Sequence, residues 1–270
     1  MRRSVTAVLI GTLLAGGCML LPIGRHRAAV NGIEISYLVY GHGPPLLLMH
    51  GGGGRALSLP RQIWDFGRHY RVIAPDARSH GASTDPGDTL SYHVMAEDMV
   101  ALLDHVRVGR ADIVGWSDGA IVGLDLALHH PDRVRKLVLF GANFTPEGVN
   151  AATLTWLRAA SAADSAARAH DPVEPPSLDV RLRHLWLTQP RFTLAELRTI
   201  RVPTLVAVGD HDWPSIEHTI ELSRAIRGSQ LCVIPGSSHA VLRERADLAN
   251  EIVLQFLREP MPPERSPRQM

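Results

Sequence analysis

The sequence predicts an α/β protein, a mostly parallel central sheet with helices packed on both faces. Three observations carry this expectation. Short apolar runs without alternation recur along the chain, as strands buried on both faces require. Segments with apolar residues at three- and four-residue spacing separate them, so strands and helices alternate. One run leads through Gly115-Trp116-Ser117-Asp118-Gly119 directly into a helical segment, a G-x-S-x-G turn between strand and helix.

Taken in order, residues 1–24 read as a leader. Arg2 and Arg3 precede an apolar stretch from Val5 to Leu14, and Ala15-Gly16-Gly17-Cys18 closes it. Val30 to Tyr40 alternates around Asn31-Gly32 and reads as an antiparallel hairpin. Buried strands are expected at Leu46–Met49, Val72–Ala74, Ala111–Val114, Leu137–Phe140, Leu205–Val208 and Leu231–Ile234, with Cys232 inside the last. Helical spacing connects Met95, Met99, Leu102, Leu103 and Val106, then Ile121, Leu124 and Leu128, then Ile216, Ile220 and Leu222 to Ile226, then Leu248, Ile252 and Phe256. Right-handed crossovers follow by default. Residues 145–198 break the alternation with alanine-rich and leucine-bearing helical pieces around the prolines at 172, 175 and 176, and read as a short helical lid. The domain is thus expected over 25–258, with a disordered tail at 259–270 rich in proline.

Composition excludes several classes. Of the residues 45% are hydrophobic and 20% charged, which is ordinary for a globular protein. The net charge of +1 gives no reason to expect nucleic acid. Two cysteines, Cys18 and Cys232, indicate no disulfide framework. The leader admits three readings. The small residues before Cys18 resemble a bacterial lipobox, which makes Cys18 a lipidation candidate and is placed first. Alternatively Val5 to Ile23 is an uncleaved anchor, being about the ~20 residues a bilayer needs, or the leader is a plain signal peptide. Each places the domain in the cell envelope or outside the cell, with the leader as the only membrane contact. The oligomeric state is open.

The chemistry rests on residues placed just past strand ends. A serine hydroxyl needs a histidine to take its proton, and the histidine needs a carboxylate to orient it. Ser117, Asp212 and His239 follow their strands in the order this arrangement requires. Asp212 is favoured over Asp210 because Gly-x-x-Asp carries it further round the turn. His218 lies inside a helix, and His211 is a possible wall of the site. The glycine run after His50 supplies backbone N–H groups for an oxyanion, assigned to Gly52 together with the N–H of Asp118. His50 is expected to pack beneath that loop. Neither a phosphate-loop nor a dinucleotide pattern fits the glycines. Gly51, Gly53, Trp116, Asp118, Asn143 and Trp213 flank these groups and are candidate substrate contacts. The Asp118 side chain has two readings, a helix N-terminal acid favoured by the dipole or a partner for a cationic substrate group.

Assembled, His50-Gly51-Gly52, Asp76-Ala77-Arg78-Ser79-His80-Gly81, Gly115 to Gly119, His130 to Val134, Pro203 to Asp212 and Gly236 to His239 resemble the α/β-hydrolase superfamily over roughly residues 30–257. Phe140-Gly141-Ala142-Asn143 after the serine turn is similar to the valacyclovir-hydrolase, or biphenyl-hydrolase-like, group. The resemblance implies ester hydrolysis without metal or cofactor, and in that group the acid after the serine contacts the substrate's amino group. One departure is Ser79, where the superfamily carries glycine; a positive φ there would strain the turn. The expected function is a cofactor-free serine hydrolase, a carboxylesterase on small to medium esters. The alternatives are a lactonase, a C–C bond hydrolase, or a binding protein without turnover.

Overall fold

The computed structural model describes residues 24–87, 90–170 and 176–261, with the side chains of 168–170 left aside. The leader with Cys18 and the end of the tail lie outside the described residues. Among the described residues no helix is long and apolar enough to cross a membrane.

Eight strands form one sheet: β1 (Gly24–Val30), β2 (Ile33–Tyr40), β3 (Pro45–Met49), β4 (Arg71–Pro75), β5 (Ala111–Trp116), β6 (Val134–Phe140), β7 (Thr204–His211) and β8 (Gln230–Ser238). Their spatial order is β1-β2-β4-β3-β5-β6-β7-β8. The first hairpin turns at Asn31 and Gly32, both with positive φ, and β2 pairs antiparallel with β1 and β4. Every other pairing is parallel.

The apolar runs lack alternation because both faces of the sheet are covered. Leu47, Ile73, Ile113, Leu137, Leu139 and Val206 point into one core, with α2 (Tyr92–His105), α3 (Asp118–His129) and α7 (Ile216–Ala225). Leu46, Leu48, Val72, Val114, Val138, Phe140 and Leu205 point into the other, with α1 (Pro60–Gly67), α8 (Val241–Glu244) and α9 (Ala246–Arg258). Helix α1 was not expected from the sequence. Pro60 opens it, with Ile63 and Phe66 buried one turn apart. The run at Leu231–Ile234 is less buried than expected. It is the edge strand β8, so Leu231 and Val233 are exposed and Cys232 is half-buried.

Between β6 and β7 the chain holds α4 (Ala151–His170), α5 (Leu178–Thr188) and α6 (Leu194–Leu197), in the segment read as a lid. Leu182 and Leu185 of α5 are buried in the core beside α2 and α3. Arg181 ties α5 to the loop after β4 through Asp85, whose carboxylate also accepts the Ser79 hydroxyl at 2.9 Å. Ser79 does have a positive φ, +64°, so the glycine-like turn is kept at the cost of some strain. The first tail residues are held in place, contrary to the disorder expected from 259. Lys136 Nζ donates to the Glu259 carbonyl, and Met261 packs on the second core.

Candidate active site

Sheet order determines where chemistry can gather. The chain leaves β3 for β4 on one side and β5 on the other, so a crevice opens past the carboxyl ends of β3 and β5. Met49 pairs with Gly115, which sets the loop starting at His50 beside the turn at Ser117. Two strands further on, His211 pairs with Ser238, so Asp212 and His239 leave the sheet side by side.

Ser117 sits at the head of α3 with φ +56° and ψ −121°, a strained conformation held by its N–H donating to the Phe140 carbonyl at 2.8 Å. The flanking glycines are forced by close approach. A Cβ on Gly115 would stand 2.3 Å from the Gly119 carbonyl oxygen, and one on Gly119 would stand 2.5 Å from that of Met49. Gly119→Ala is therefore expected to cost about 1–3 kcal/mol of stability or more, read as a lowered thermal midpoint. A variant melting with the wild type contradicts this account of the turn.

His239 reaches Ser117 across the end of β6. Gly141 there leaves the room, since a Cβ on it would lie 3.1 Å from the imidazole. His239 Nε2 lies 2.8 Å from Ser117 Oγ, and its Nδ1 lies 2.5 Å from Asp212 Oδ1. Asp212 is fixed in turn by the N–H groups of Trp213, at 2.7 Å to Oδ1, and Gly209, at 3.1 Å to Oδ2. The Trp213 indole stacks on the His239 ring, 4.4 Å away and 7° from parallel. Asp210, the other carboxylate considered, instead accepts the N–H groups of Gly236 and Ser237. His211 is exposed at the strand end and forms no wall of the site.

The pocket beside Ser117 is lined by Asp118, Asn143, Leu157, Trp186, Trp213 and His239 among others. A second, smaller cavity lies beside the glycine loop, between His50, Gly51, Gly52, Met95, Met99 and Asp118. Gly52 lies tight against the acid, since a Cβ on it would meet Asp118 Oδ2 at 2.3 Å. Two expected substrate contacts fall elsewhere. Trp116 is outside both cavities, and its indole N–H donates to the His239 carbonyl at 2.8 Å. Gly53 also lines neither cavity and faces Leu182 of α5.

Two residues at the site were missed in the sequence, Tyr92 and Trp186. Tyr92 donates its hydroxyl to Asp118 Oδ1 at 2.9 Å, and Trp186 Nε1 donates to both carboxylate oxygens at 2.9 and 3.0 Å. Burial raises the Asp118 pKa above its ordinary value, and these neutral donors oppose that rise. Neither residue belongs to a motif. The indole comes from α5 and the phenol from the first turn of α2.

Two other buried histidines are structural. His50 Nδ1 pairs with the Gly51 carbonyl at 2.7 Å, and its Nε2 accepts the Ala77 N–H at 3.0 Å. His218 Nε2 accepts the Phe144 N–H at 3.0 Å, and its ring stacks on Phe144. Burial lowers each from 6.5 to about 4. Between those pH values the unfolded chain binds protons that the folded one refuses, so stability is full above about 6.5 and is lost as pH falls toward 4. At pH 5 each histidine is expected to cost about 2 kcal/mol. Urea unfolding at pH 7.5 and 5.0 measures the sum. His218→Phe is expected to remove about half of it, and an unchanged pH dependence in that variant contradicts the assignment.

Chemically, the site offers a hydroxyl, an imidazole and a carboxylate in hydrogen-bonded series beside a helix N-terminus. The family model for the alpha/beta hydrolase fold matches residues 44–172. The chain is similar to the serine hydrolase BPHL of Mus musculus, 26% identical over 86% of this chain and 85% of that one. It is also similar to a non-heme haloperoxidase of Rhodococcus erythropolis, 28% identical over 85% and 97%. Among solved structures, the enol-lactonase from Burkholderia xenovorans LB400 superposes with a TM-score of 0.72 at 26% identity, covering 87% of this chain and 100% of that one.

Proposed function

Since this chain belongs to the α/β-hydrolase superfamily, we propose that it is a cofactor-free serine hydrolase cleaving small to medium carboxylic esters through an acyl-enzyme. The observation that carries the reading is the unbroken series Ser117 Oγ, His239 and Asp212, with contacts of 2.8 and 2.5 Å. Ser117 Oγ attacks the ester carbonyl while its proton passes to His239 Nε2. Asp212, held by two backbone N–H groups, keeps Nδ1 protonated and steadies the imidazolium that forms. The N–H groups of Gly52 and Asp118 receive the oxyanion, the first on the glycine loop and the second opening α3. Collapse of the tetrahedral intermediate breaks the C–O bond, and His239 returns the proton to the leaving alcohol. A water deprotonated by His239 then attacks the acyl carbon, releasing the acid and restoring Ser117.

Pocket shape supports a modest substrate. Trp186, Trp213 and Leu157 give flat apolar walls, while Asn143 and Asp118 are polar points. The Asp118 carboxylate is already engaged by Tyr92 and Trp186, which favours the neutral ester over a cationic one. The similarity to an enol-lactonase keeps cyclic esters as a second reading, because the same acylation opens a lactone. A panel of p-nitrophenyl esters, amino-acid esters, lactones and vinylogous diketones tests the choice. Acyclic neutral esters are expected to give the highest kcat/KM. Preference for a lactone or for C–C cleavage overturns the carboxylesterase reading, and no turnover of any member overturns the enzyme reading. The leader is proposed to carry the enzyme to the cell envelope, with Cys18 as the lipid attachment point. Globomycin-sensitive processing in a bacterial host tests this.

A further inference from the structure

We propose that α2 and α3 together hold one divalent transition-metal ion of the zinc type, bound by His93, Asp125 and His129. The site is independent of the esterase reading and lies away from the reacting serine. Asp125 and His129 are four residues apart on α3, which places them on one helical face. His93, the second residue of α2, faces them from the neighbouring helix. Its Nδ1 lies 3.0 Å from Asp125 Oδ1, and the Nδ1 of His129 lies 3.1 Å from the same oxygen. All three ligand atoms fall within 4.8 Å of one another.

These spacings suit an ion. Donors bound to tetrahedral zinc at about 2.0–2.1 Å stand about 3.3 Å apart, so two edges of the ligand triangle are already close to their bonded length. The third closes by rotation of two imidazoles whose side chains are 53% and 49% exposed. The Asp125 carboxylate is buried, and its Oδ1 has two lone pairs to offer. Here two rings converge on Oδ1, with centroids 4.9 Å apart. If each ring changes tautomer, its Nδ1 lone pair turns inward and the ion replaces the two protons. Two imidazoles and one carboxylate form a donor set suited to zinc rather than to magnesium or calcium. A water completes the shell.

The surroundings fit an outer layer of support. Glu97 stands four residues after His93 on the same helix, with Oε1 4.0 Å from His93 Nε2 and 2.6 Å from His130 Nε2. Once Nδ1 is bound, the His93 Nε2–H points to that carboxylate, which orients the ring. Asp125 lies eight residues along α3 from Ser117, about 12 Å by helical rise, so the ion takes no part in bond cleavage. It joins two helices that frame the pocket floor. Tyr92, adjacent to His93, gives its hydroxyl to Asp118 at the head of α3.

Calorimetric titration of the EDTA-stripped full chain with zinc chloride, with magnesium chloride as control, tests the proposal. One zinc per chain is expected at micromolar affinity or tighter, accompanied by a higher Tm, and no response to magnesium. His93→Gln and His129→Gln are each expected to weaken binding at least tenfold and to abolish the zinc-dependent rise in Tm. Their metal-free melting should stay near that of the wild type, because both side chains face solvent. His42→Gln, at a remote exposed histidine, should bind as the wild type does. Absence of one-to-one zinc binding overturns the proposal, and so does binding that persists undiminished in both His93→Gln and His129→Gln.

Discussion

Ser117→Ala is expected to lower kcat/KM for the best ester substrate by about 10⁴-fold or more, with little change in KM and no loss of fold. The substitution removes one oxygen and nothing else. Alanine keeps the Cβ, the strained backbone at φ +56° and the N–H bond to the Phe140 carbonyl. The pocket walls and the N–H groups of Gly52 and Asp118, the proposed oxyanion donors, also remain, so ground-state binding is expected to survive. What disappears is the atom proposed to form the covalent bond, and with it the only hydroxyl within 2.8 Å of His239 Nε2 among the described contacts. Residual turnover would come from water held against the same donors. Steady-state hydrolysis of p-nitrophenyl acetate, with circular dichroism to confirm folding, is the measurement. A rate within tenfold of the wild type would remove Ser117 from the mechanism.

The second large effect is expected from Asp212→Asn, a fall in kcat of about 10³-fold or more and a loss of about 1–3 kcal/mol of stability. Every partner of this carboxylate is a donor. Oδ1 takes the Trp213 N–H and faces His239 Nδ1, and Oδ2 takes the Gly209 N–H. An asparagine has one acceptor to offer and must turn its NH2 against an N–H in either orientation. Turned toward Gly209, it leaves a buried pair of donors facing each other and removes the negative charge that steadies the imidazolium. Turned toward His239, it forces the proton to Nε2 and disables the base. Both orientations penalise the rate, and both penalise the fold because Asp212 is buried. Kinetics and urea unfolding on one preparation separate the two effects. Wild-type kcat in this variant would show that the carboxylate is not part of the relay.

Much of this site was legible because its signals are local. Ser117, Asp212 and His239 each follow an apolar run, and parallel register then brings the strand ends together without further information. Asp212 rather than Asp210 faces the imidazole, since two more residues carry its carboxylate on toward His239. Strand parity decides where the Trp116 side chain goes. This residue shares a face with Val114, two residues earlier, and that face points into the core around α1 and α9, away from the pocket. Tyr92 and Trp186 could not be found at all. They reach Asp118 from 26 and 68 residues away, through the start of α2 and through α5, whose placement no short pattern encodes. The exposure of Leu231 and Val233 was hidden for a similar reason. An apolar run looks the same in a central strand and an edge strand, and only sheet order distinguishes them.

Ser117 is proposed to be a nucleophile activated by His239, and covalent trapping reads that activation at the atom concerned. The intact protein is treated at neutral pH with a fluorophosphonate and analysed by mass spectrometry, followed by peptide mapping. One phosphonyl group per chain is expected, on Ser117, with labelling abolished in Ser117→Ala and slowed by orders of magnitude in His239→Ala. A folded protein that stays unlabelled, or that takes the label on another residue, contradicts the account.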